Sequence, residues 1–403
     1  MKILVISQYY YPEDFRVNDI CEELVQRGHQ ITVLTGLPNY PYGTIFKGYE
    51  NSYKTPEIIN GVNVIRCKNR PRKKGGLNLL FNYIDFAYQA TKAVKRIHDD
   101  FDMIYAYQMS PITLVLPAIK YKKIHNVPLC IYVCDIWPES VRDRGEKRPM
   151  SKHNPIYAFV KLLSKKIYNK ADIICTKCSE FIDYLVEVCS VDRKKCFVNY
   201  EHAETYYLKV NEDPIDNGIV DFMFLGNIGI SSNCELIVRA TSMLRGNNFR
   251  VHFVGDGSAL ENIKQLASNL NLNDIIVFHG RHPRSEITAF YNLADVCLLT
   301  LSSNSLIGLT PPAKLTGYMA ACRPIVASIN GAASRIIRES NCGFVCDAND
   351  CQSLAELMQK IIDDPQIVSN LGKNGREYFL NNYTINTFVS VLEKNVFNTG
   401  RSL

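Results

Sequence analysis

The sequence predicts an α/β protein made of two doubly wound domains. Three observations carry that expectation. Short apolar runs alternate with amphipathic helical patterns along the whole chain, as in parallel sheets covered by helices. The rhythm breaks once, at 206–220, where Asn211-Glu212-Asp213-Pro214-Ile215-Asp216-Asn217-Gly218 is polar and rich in turn formers. And 403 residues are too many for one ordinary hydrophobic core. The expected division is 1–205 for the N-terminal domain, 206–220 for a linker, 221–380 for the C-terminal domain, and 381–403 for a helix docking back on the N-terminal domain.

In the first block, residues 3–6 read as a strand. Val17, Ile20, Leu24 and Val25 then share one helical face, and Gly28 stands where a helix ends in the left-handed conformation. A strand at 31–34 completes a βαβ unit. Further strands are expected at 62–65, 103–106, 129–133, 173–176 and 197–199, with helices at 79–97 and 156–168 between them. The second block offers strands at 222–225, 251–254, 275–278, 296–299, 325–327 and 344–345, and 385–397 reads as helix. Ligands of such sheets bind at the carboxyl ends of the strands.

A hydrophobic content of 46% with 21% charged residues describes a soluble globular protein. No uncharged apolar run is long enough to span a bilayer, and the apolar run at 3–6 is too short for a signal peptide, so a cytoplasmic location is expected. The fourteen cysteines are scattered and read as buried thiols. Cys175 with Cys178, and Cys342 with Cys346 and Cys351, lack the second half that a zinc site needs. The net charge of +6 divides into +8 on residues 1–205 and −2 on 206–403, which points to an anionic partner for the first half.

Neither half contains Gly-x-Gly-x-x-Gly or a Walker-type loop, which argues against a dehydrogenase or kinase. Instead, glycines follow three successive strands of the second half: Gly226-Asn227-Ile228-Gly229, Gly255-Asp256-Gly257 and Gly280-Arg281. Glycine at a strand end lets a ligand approach the backbone. Thr310-Pro311-Pro312-Ala313-Lys314 then reads as a helix start, with Thr310 as its cap and Lys314 in its first turn. That is a natural anion site, or else the solvated end of an ordinary helix.

Taken in order, these motifs resemble family 4 retaining glycosyltransferases of the GT-B fold. The second half matches through Gly226–Gly229, Val254-Gly255-Asp256-Gly257, Phe278-His279-Gly280-Arg281, Tyr291 with Ala294-Asp295, Pro312-Ala313-Lys314 and the stretch 318–327. The first half resembles the surface-polysaccharide branch, capsule and O-antigen, N-acetylfucosamine-transferase-like. Its cues are Tyr11-Pro12-Glu13, Phe15-Arg16-Val17-Asn18-Asp19, Arg27-Gly28-His29, Leu34-Thr35-Gly36, Pro38-Asn39-Tyr40-Pro41 and Asp135-Ile136-Trp137-Pro138-Glu139-Ser140.

The resemblance implies two Rossmann-like domains facing across a cleft: an acceptor-side N-terminal domain and a nucleotide-sugar-binding C-terminal domain. It implies transfer from a nucleotide-diphosphate sugar, here a UDP-linked hexose or N-acetylhexosamine, to a polyprenyl-diphosphate saccharide. The leaving diphosphate needs preorganised positive charge. Lys314 and Arg16 are the candidates, with Gly226, Asn227, Gly229, Gly255, Asp256, Gly280, Arg281, Thr310 and Pro312 completing the donor site. Arg16 alternatively pairs with Glu13 or Asp19. Asp135 would position or deprotonate the acceptor hydroxyl, or else cap the following turn, while Asn18, Trp137 and Glu139 fall on the acceptor side. No metal or other cofactor is expected, because Asp100-Phe101-Asp102 precedes a strand rather than following one.

The chain departs from the family at one place. Many members carry a Glu-x7-Glu pair whose second Glu holds the donor ribose; those positions are Leu309 and Gly317 here. This departure keeps an inactive, binding-only relative open as an alternative, beside a GT-B nucleotide-sugar epimerase. Finally, Arg66, Lys68, Arg70, Arg72, Lys73 and Lys74 have no acidic neighbour before Asp85 and precede an apolar, aromatic helix. Arg70, Arg72, Lys73 and Lys74 are read as a patch for an anionic membrane, with the protein peripheral on its inner face; the alternative is a solvated loop before a core helix. Nucleic acid is not an expected partner, since no stacking module accompanies the charge.

Overall fold

The computed structural model describes residues 1–73, 75–142, 150–246, 248–302 and 310–397. The chain forms two compact units: Met1–His202 together with the chain from Ile385 onward, and Ala203–Thr384.

In the first unit, β1 (Lys2–Ile6), β2 (Gln30–Gly36), β3 (Glu57–Ile59), β4 (Val62–Cys67), β5 (Met103–Gln108), β6 (Leu129–Val133), β7 (Ile173–Thr176) and β8 (Cys196–Val198) make one sheet in the order β3-β4-β2-β1-β5-β6-β7-β8. Only β3 is antiparallel to its neighbour. The central strands are buried along nearly their whole length, which explains their continuous apolar runs. Helix Arg16–Gln26 buries Val17, Ile20, Cys21 and Leu24. It stops where Gly28, at φ +87°, takes the left-handed conformation and its N–H bonds the Val25 carbonyl at 2.9 Å.

The last helix, Ile385–Leu392, belongs to this unit because Phe388, Val389 and Leu392 enter the same core as β1 and β5. Arg27 anchors it, donating to the Asn386 carbonyl at 2.9 Å, to Ser390 at 3.0 Å and to Glu393 at 2.7 Å. Burial works against ionising Glu393, but hydrogen bonds from His29 and Arg27 prevail and hold its carboxyl below the usual range.

In the second unit, β9 (Val220–Leu225), β10 (Phe249–Val254), β11 (Ile276–Gly280), β12 (Val296–Thr300), β13 (Ile325–Ser328) and β14 (Gly343–Cys346) form an all-parallel sheet in the order β11-β10-β9-β12-β13-β14. The chain leaves β9 toward β10 on one side and returns to β12 on the other, so the switch point lies between β9 and β12. These two strands pair only at Val296–Phe222 and Cys297–Met223 and then part.

Residues 206–220, set apart by composition as a linker, belong to the second unit. Their carbonyls are bound: the fully buried Arg323 donates to Asn211 at 2.7 Å and Glu212 at 2.6 Å, as well as to Tyr291 at 2.7 Å. A polar segment is stable there because it satisfies a buried guanidinium.

Candidate active site

The carboxyl ends of β9, β10 and β11 carry the three glycine loops of the second unit. Gly226 donates to Val254 at 2.9 Å, Ile228 to Asp256 at 2.9 Å and Gly255 to Gly280 at 2.8 Å, so the loops are bonded backbone to backbone. At two of the glycines the neighbouring backbone leaves no room for a side chain. A Cβ on Gly255 would fall 1.9 Å from the Gly226 carbonyl oxygen, and one on Gly257 would fall 2.4 Å from that of Ile228. Gly226 and Gly255, at φ +131° and +146°, also need glycine's conformational range. Together with Asn227, Asp256, Arg281, His282 and Ile287 these loops line a cavity of about 450 Å³. Asp256 accepts from the Gly257 N–H at 2.7 Å, which fixes its carboxylate at the cavity wall.

Helix Ala313–Ala320 delivers two side chains to the gap between β9 and β12. The Tyr318 hydroxyl accepts from the Leu225 N–H at 3.1 Å and lies 3.3 Å from the carbonyls of Leu225 and Leu298, filling the gap with a polar plug. One turn earlier, Lys314 shares that face. Its Nζ lies 3.8 Å from the centre of the Phe224 ring, and a Cβ on Gly226 would be 3.6 Å from it. The Nζ is buried with no hydrogen-bond partner among the described residues. Burial pulls the ammonium down to about 8, a shift that the Cys234 thiol opposes only in part. A buried, unpartnered cation is costly unless an anion completes it.

The helix starts differently from the sequence reading. Pro312 is the cap residue and no side-chain hydrogen bond caps the helix, so Thr310 does not act as its cap. The two prolines hold the chain extended up to Ala313, which moves the start past the reach of the threonine. At Gly317, a Cβ would lie 3.0 Å from the Tyr291 hydroxyl and 3.7 Å from the Tyr207 ring. Those two rings meet edge to face, with centroids 5.0 Å apart. An aromatic wall therefore occupies the place where the family resemblance called for a carboxylate. Leu309 lies outside the described residues, as does Lys74.

In the first unit, the loop ends of β1, β5 and β6 gather the other candidates. Asp135 accepts from the Ser110 N–H at 3.0 Å and hydroxyl at 2.7 Å, and that hydroxyl accepts from Trp137 Nε1 at 3.2 Å. Trp137 is buried, so it orients Asp135 through Ser110 rather than presenting a face to a ligand. Glu139 is corrected more strongly. It is buried and receives Tyr157 at 2.6 Å, Tyr184 at 2.9 Å and Arg142 at 3.0 Å. Burial raises its carboxyl, but these three donors outweigh it and the net shift is downward. These three donors hold it as a structural anchor.

Arg16 bonds the His202 carbonyl, and neither Glu13 nor Asp19 is its partner. Asp19 instead meets His202 Nε2 at 3.1 Å. Asn18 donates to the Glu13 carbonyl at 2.8 Å, leaving its Oδ1 buried and without a partner among the described residues. Composition gave no hint of the part played by Glu13. It is buried and accepts from the N–H groups of Asn39 at 2.7 Å and Tyr40 at 2.6 Å, which ties the Tyr-Pro-Glu loop to the Pro-Asn-Tyr-Pro loop. Burial pushes its carboxyl up to about 6, against the lowering effect of those N–H groups.

Of the basic stretch, Arg66 is buried and bound to Glu57 at 2.5 Å and the Tyr11 carbonyl at 2.6 Å. Arg70 and Lys73 are exposed, with Arg70 5.7 Å from the Phe81 ring and the half-buried Arg72 5.3 Å from Tyr40. The helix that follows, Gly76–Ala93, buries Tyr83, Phe86, Ala87 and Ala90, and exposes Leu77, Leu80, Phe81, Ile84 and Tyr88 along its opposite side. No helix of the described residues is long and apolar enough to cross a membrane.

Two parallel-sheet units of this topology, one with glycine loops and a buried lysine at its switch point, define the GT-B architecture. The chain is a glycosyltransferase of that class: residues 16–201 match the family model described as glycosyltransferase family 4, and residues 210–378 match that of glycosyl transferases group 1. It is 26% identical over 347 residues to the probable glycosyltransferase WbjE of Pseudomonas aeruginosa, covering 82% of this chain and 84% of WbjE. Its fold is that of Anabaena HepE, solved in complex with UDP, at a TM-score of 0.70 and 14% identity over 99% of this chain and 100% of the other. WaaG, described as a glycosyltransferase involved in lipopolysaccharide biosynthesis, aligns at 0.65 and 12% identity over 98% and 100%.

Proposed function

We propose that this glycosyltransferase takes a UDP-linked hexose or N-acetylhexosamine as donor, retains its anomeric configuration, and transfers it to a polyprenyl-diphosphate saccharide in capsule or O-antigen assembly. The observation that carries the reading is Lys314: a buried ammonium, unpartnered among the described residues, beside a glycine-walled cavity. A nucleoside diphosphate supplies the missing anion. As the C1–O bond to the diphosphate breaks, negative charge builds on the leaving oxygen, and Lys314, Arg281 and the N–H groups at the start of helix Ala313–Ala320 stabilise it. The acceptor oxygen bonds to C1 on the face the diphosphate leaves, and its proton passes to Asp135. No step in this scheme calls for a metal.

UDP in the HepE complex supports the choice of donor, and the process given for WaaG, lipopolysaccharide biosynthesis, supports a place in surface-polysaccharide assembly. The exposed apolar row of helix Gly76–Ala93, flanked by Arg70 and Lys73, supports a place on the inner face of the cell membrane, where such an acceptor resides. The test is turnover with a panel of UDP- and GDP-sugars and a polyprenyl-diphosphate disaccharide, with the anomer of the product read by NMR. Transfer from a UDP-sugar with retention is the expected result. Turnover restricted to GDP-sugars overturns the donor, and an inverted anomer overturns the mechanism.

A further inference from the structure

Helix Pro155–Tyr168 carries a second exposed apolar face on the first unit. It buries Tyr157, Ser164, Ile167 and Tyr168, yet Ile156, Phe159 and Leu162 are 59%, 67% and 53% exposed. Their spacing of three keeps them on one side of the helix. Residues 151–170 contain five lysines (Lys152, Lys161, Lys165, Lys166 and Lys170) and no carboxylate. Lys165 reaches Ser190 at 2.9 Å, and Lys161 and Lys166 are exposed. The helix packed against it, Ser179–Cys189, contributes the acids Glu180, Asp183 and Glu187; Asp183 is taken by Arg193. Helices Gly76–Ala93 and Pro155–Tyr168 belong to the same unit and both pack on the short turn Ile112–Val115.

We propose that Pro155–Tyr168 is a second lipid-docking element, with Ile156, Phe159 and Leu162 entering the acyl boundary of an anionic bilayer and Lys161 and Lys166 meeting its headgroup phosphates. This rests on the membrane part of the proposed function. Charge and apolarity together select lipid over protein. Lysine is depleted where protein surfaces bury one another, whereas a basic rim around an apolar face suits an anionic interface. A single element of this kind binds marginally and leaves the unit free to swivel. Two on one rigid unit bind together through effective concentration and restrict the orientation of the unit on the surface.

The experiment is co-sedimentation of the full chain with phosphatidylglycerol-containing vesicles and with pure phosphatidylcholine vesicles. Phe159→Asp with Leu162→Asp is expected to lower the partition coefficient on the anionic vesicles about tenfold, and Lys161→Gln with Lys166→Gln to do the same in low salt only. The thermal midpoint of each variant checks that it folds; all the substituted side chains are exposed. Leu80→Asp with Ile84→Asp tests the first helix separately. If that pair abolishes binding while the Pro155–Tyr168 variants bind like the parent, the second element is overturned and the membrane reading stands. If the parent itself ignores anionic vesicles, the membrane reading falls, and this proposal with it. If Phe159→Asp instead dissolves a dimer seen by sedimentation and leaves vesicle binding unchanged, the face serves a second copy of the chain and the proposal is wrong.

Discussion

The ammonium of Lys314 rests 3.8 Å from the centre of the Phe224 ring, buried and without a hydrogen-bond partner among the described residues. The ring face offsets part of the lost hydration but not all of it, which is why the group sits near 8 instead of 10.5. Because the folded state disfavours the proton, the charged lysine costs stability at pH 7, and that cost is relieved as pH rises from about 8 through 10.5. Lys314→Met should therefore raise stability at pH 7 by about 2–3 kcal/mol in urea titrations. The same substitution should weaken UDP binding by about 10- to 100-fold in calorimetry. Parent affinity should fall above pH 8 as the ammonium deprotonates, and Lys314→Arg should flatten that fall. A variant that is less stable yet binds UDP normally would remove Lys314 from the site.

Ser110 stands between Trp137 and Asp135, accepting from one and donating to the other. If Asp135 handles the acceptor proton, Asp135→Asn should cut kcat by about 10²-fold with little change in donor KM. Ser110→Ala keeps the backbone N–H bond to the carboxylate and should cost about tenfold in kcat. Equal losses in kcat and in donor binding would instead mean that both residues only hold the loop.

At Gly317 the obstacle to a side chain is a single oxygen, the Tyr291 hydroxyl 3.0 Å from the Cβ position. Alanine in a helix is worth about 1 kcal/mol over glycine. Gly317→Ala alone should gain nothing, whereas in a Tyr291→Phe background it should stabilise by about that amount. A double-mutant cycle in urea measures the coupling, and strict additivity would show that the hydroxyl does not exclude side chains there.

Glu13 makes a pH prediction of opposite sign to that for Lys314. Its carboxyl is raised from 4.5 to about 6, so the folded state favours the protonated form. Its contribution is greatest below about pH 4.5 and declines as pH rises through 6, by about 2 kcal/mol in all. Glu13→Gln keeps an acceptor for the Asn39 and Tyr40 N–H groups without the charge. It should match the parent at pH 4.5 and exceed it at pH 7.5, measured as urea midpoints.

Both sheets were legible because buried parallel strands leave continuous apolar runs and helices leave their own period. The place of Lys314 in a first helical turn was legible because two prolines mark a helix start. The same prolines misled on the cap: they carry the start to Ala313, and Thr310 is left without that role. What could not be read depends on partners far along the chain. Residues 206–220 look like a linker until Arg323 is seen gathering their carbonyls across 111 residues. Glu139 looks available until Tyr157 and Tyr184, 18 and 45 residues away, close on it. Local composition records neither, because a buried polar group looks polar whether it meets water or a distant donor.

The Gly255 and Gly257 positions are filled by neighbouring carbonyls, so the cavity floor is main chain. Main chain presents the same atoms whatever the sequence, and no substitution there can be tried without breaking the loops. If the donor binds here, divergence in donor choice, whether natural or by directed evolution, falls to the rim, where His282 and Ile287 bring side chains that have no part in the proposed charge stabilisation. A library at those two codons varies the pocket without touching its floor.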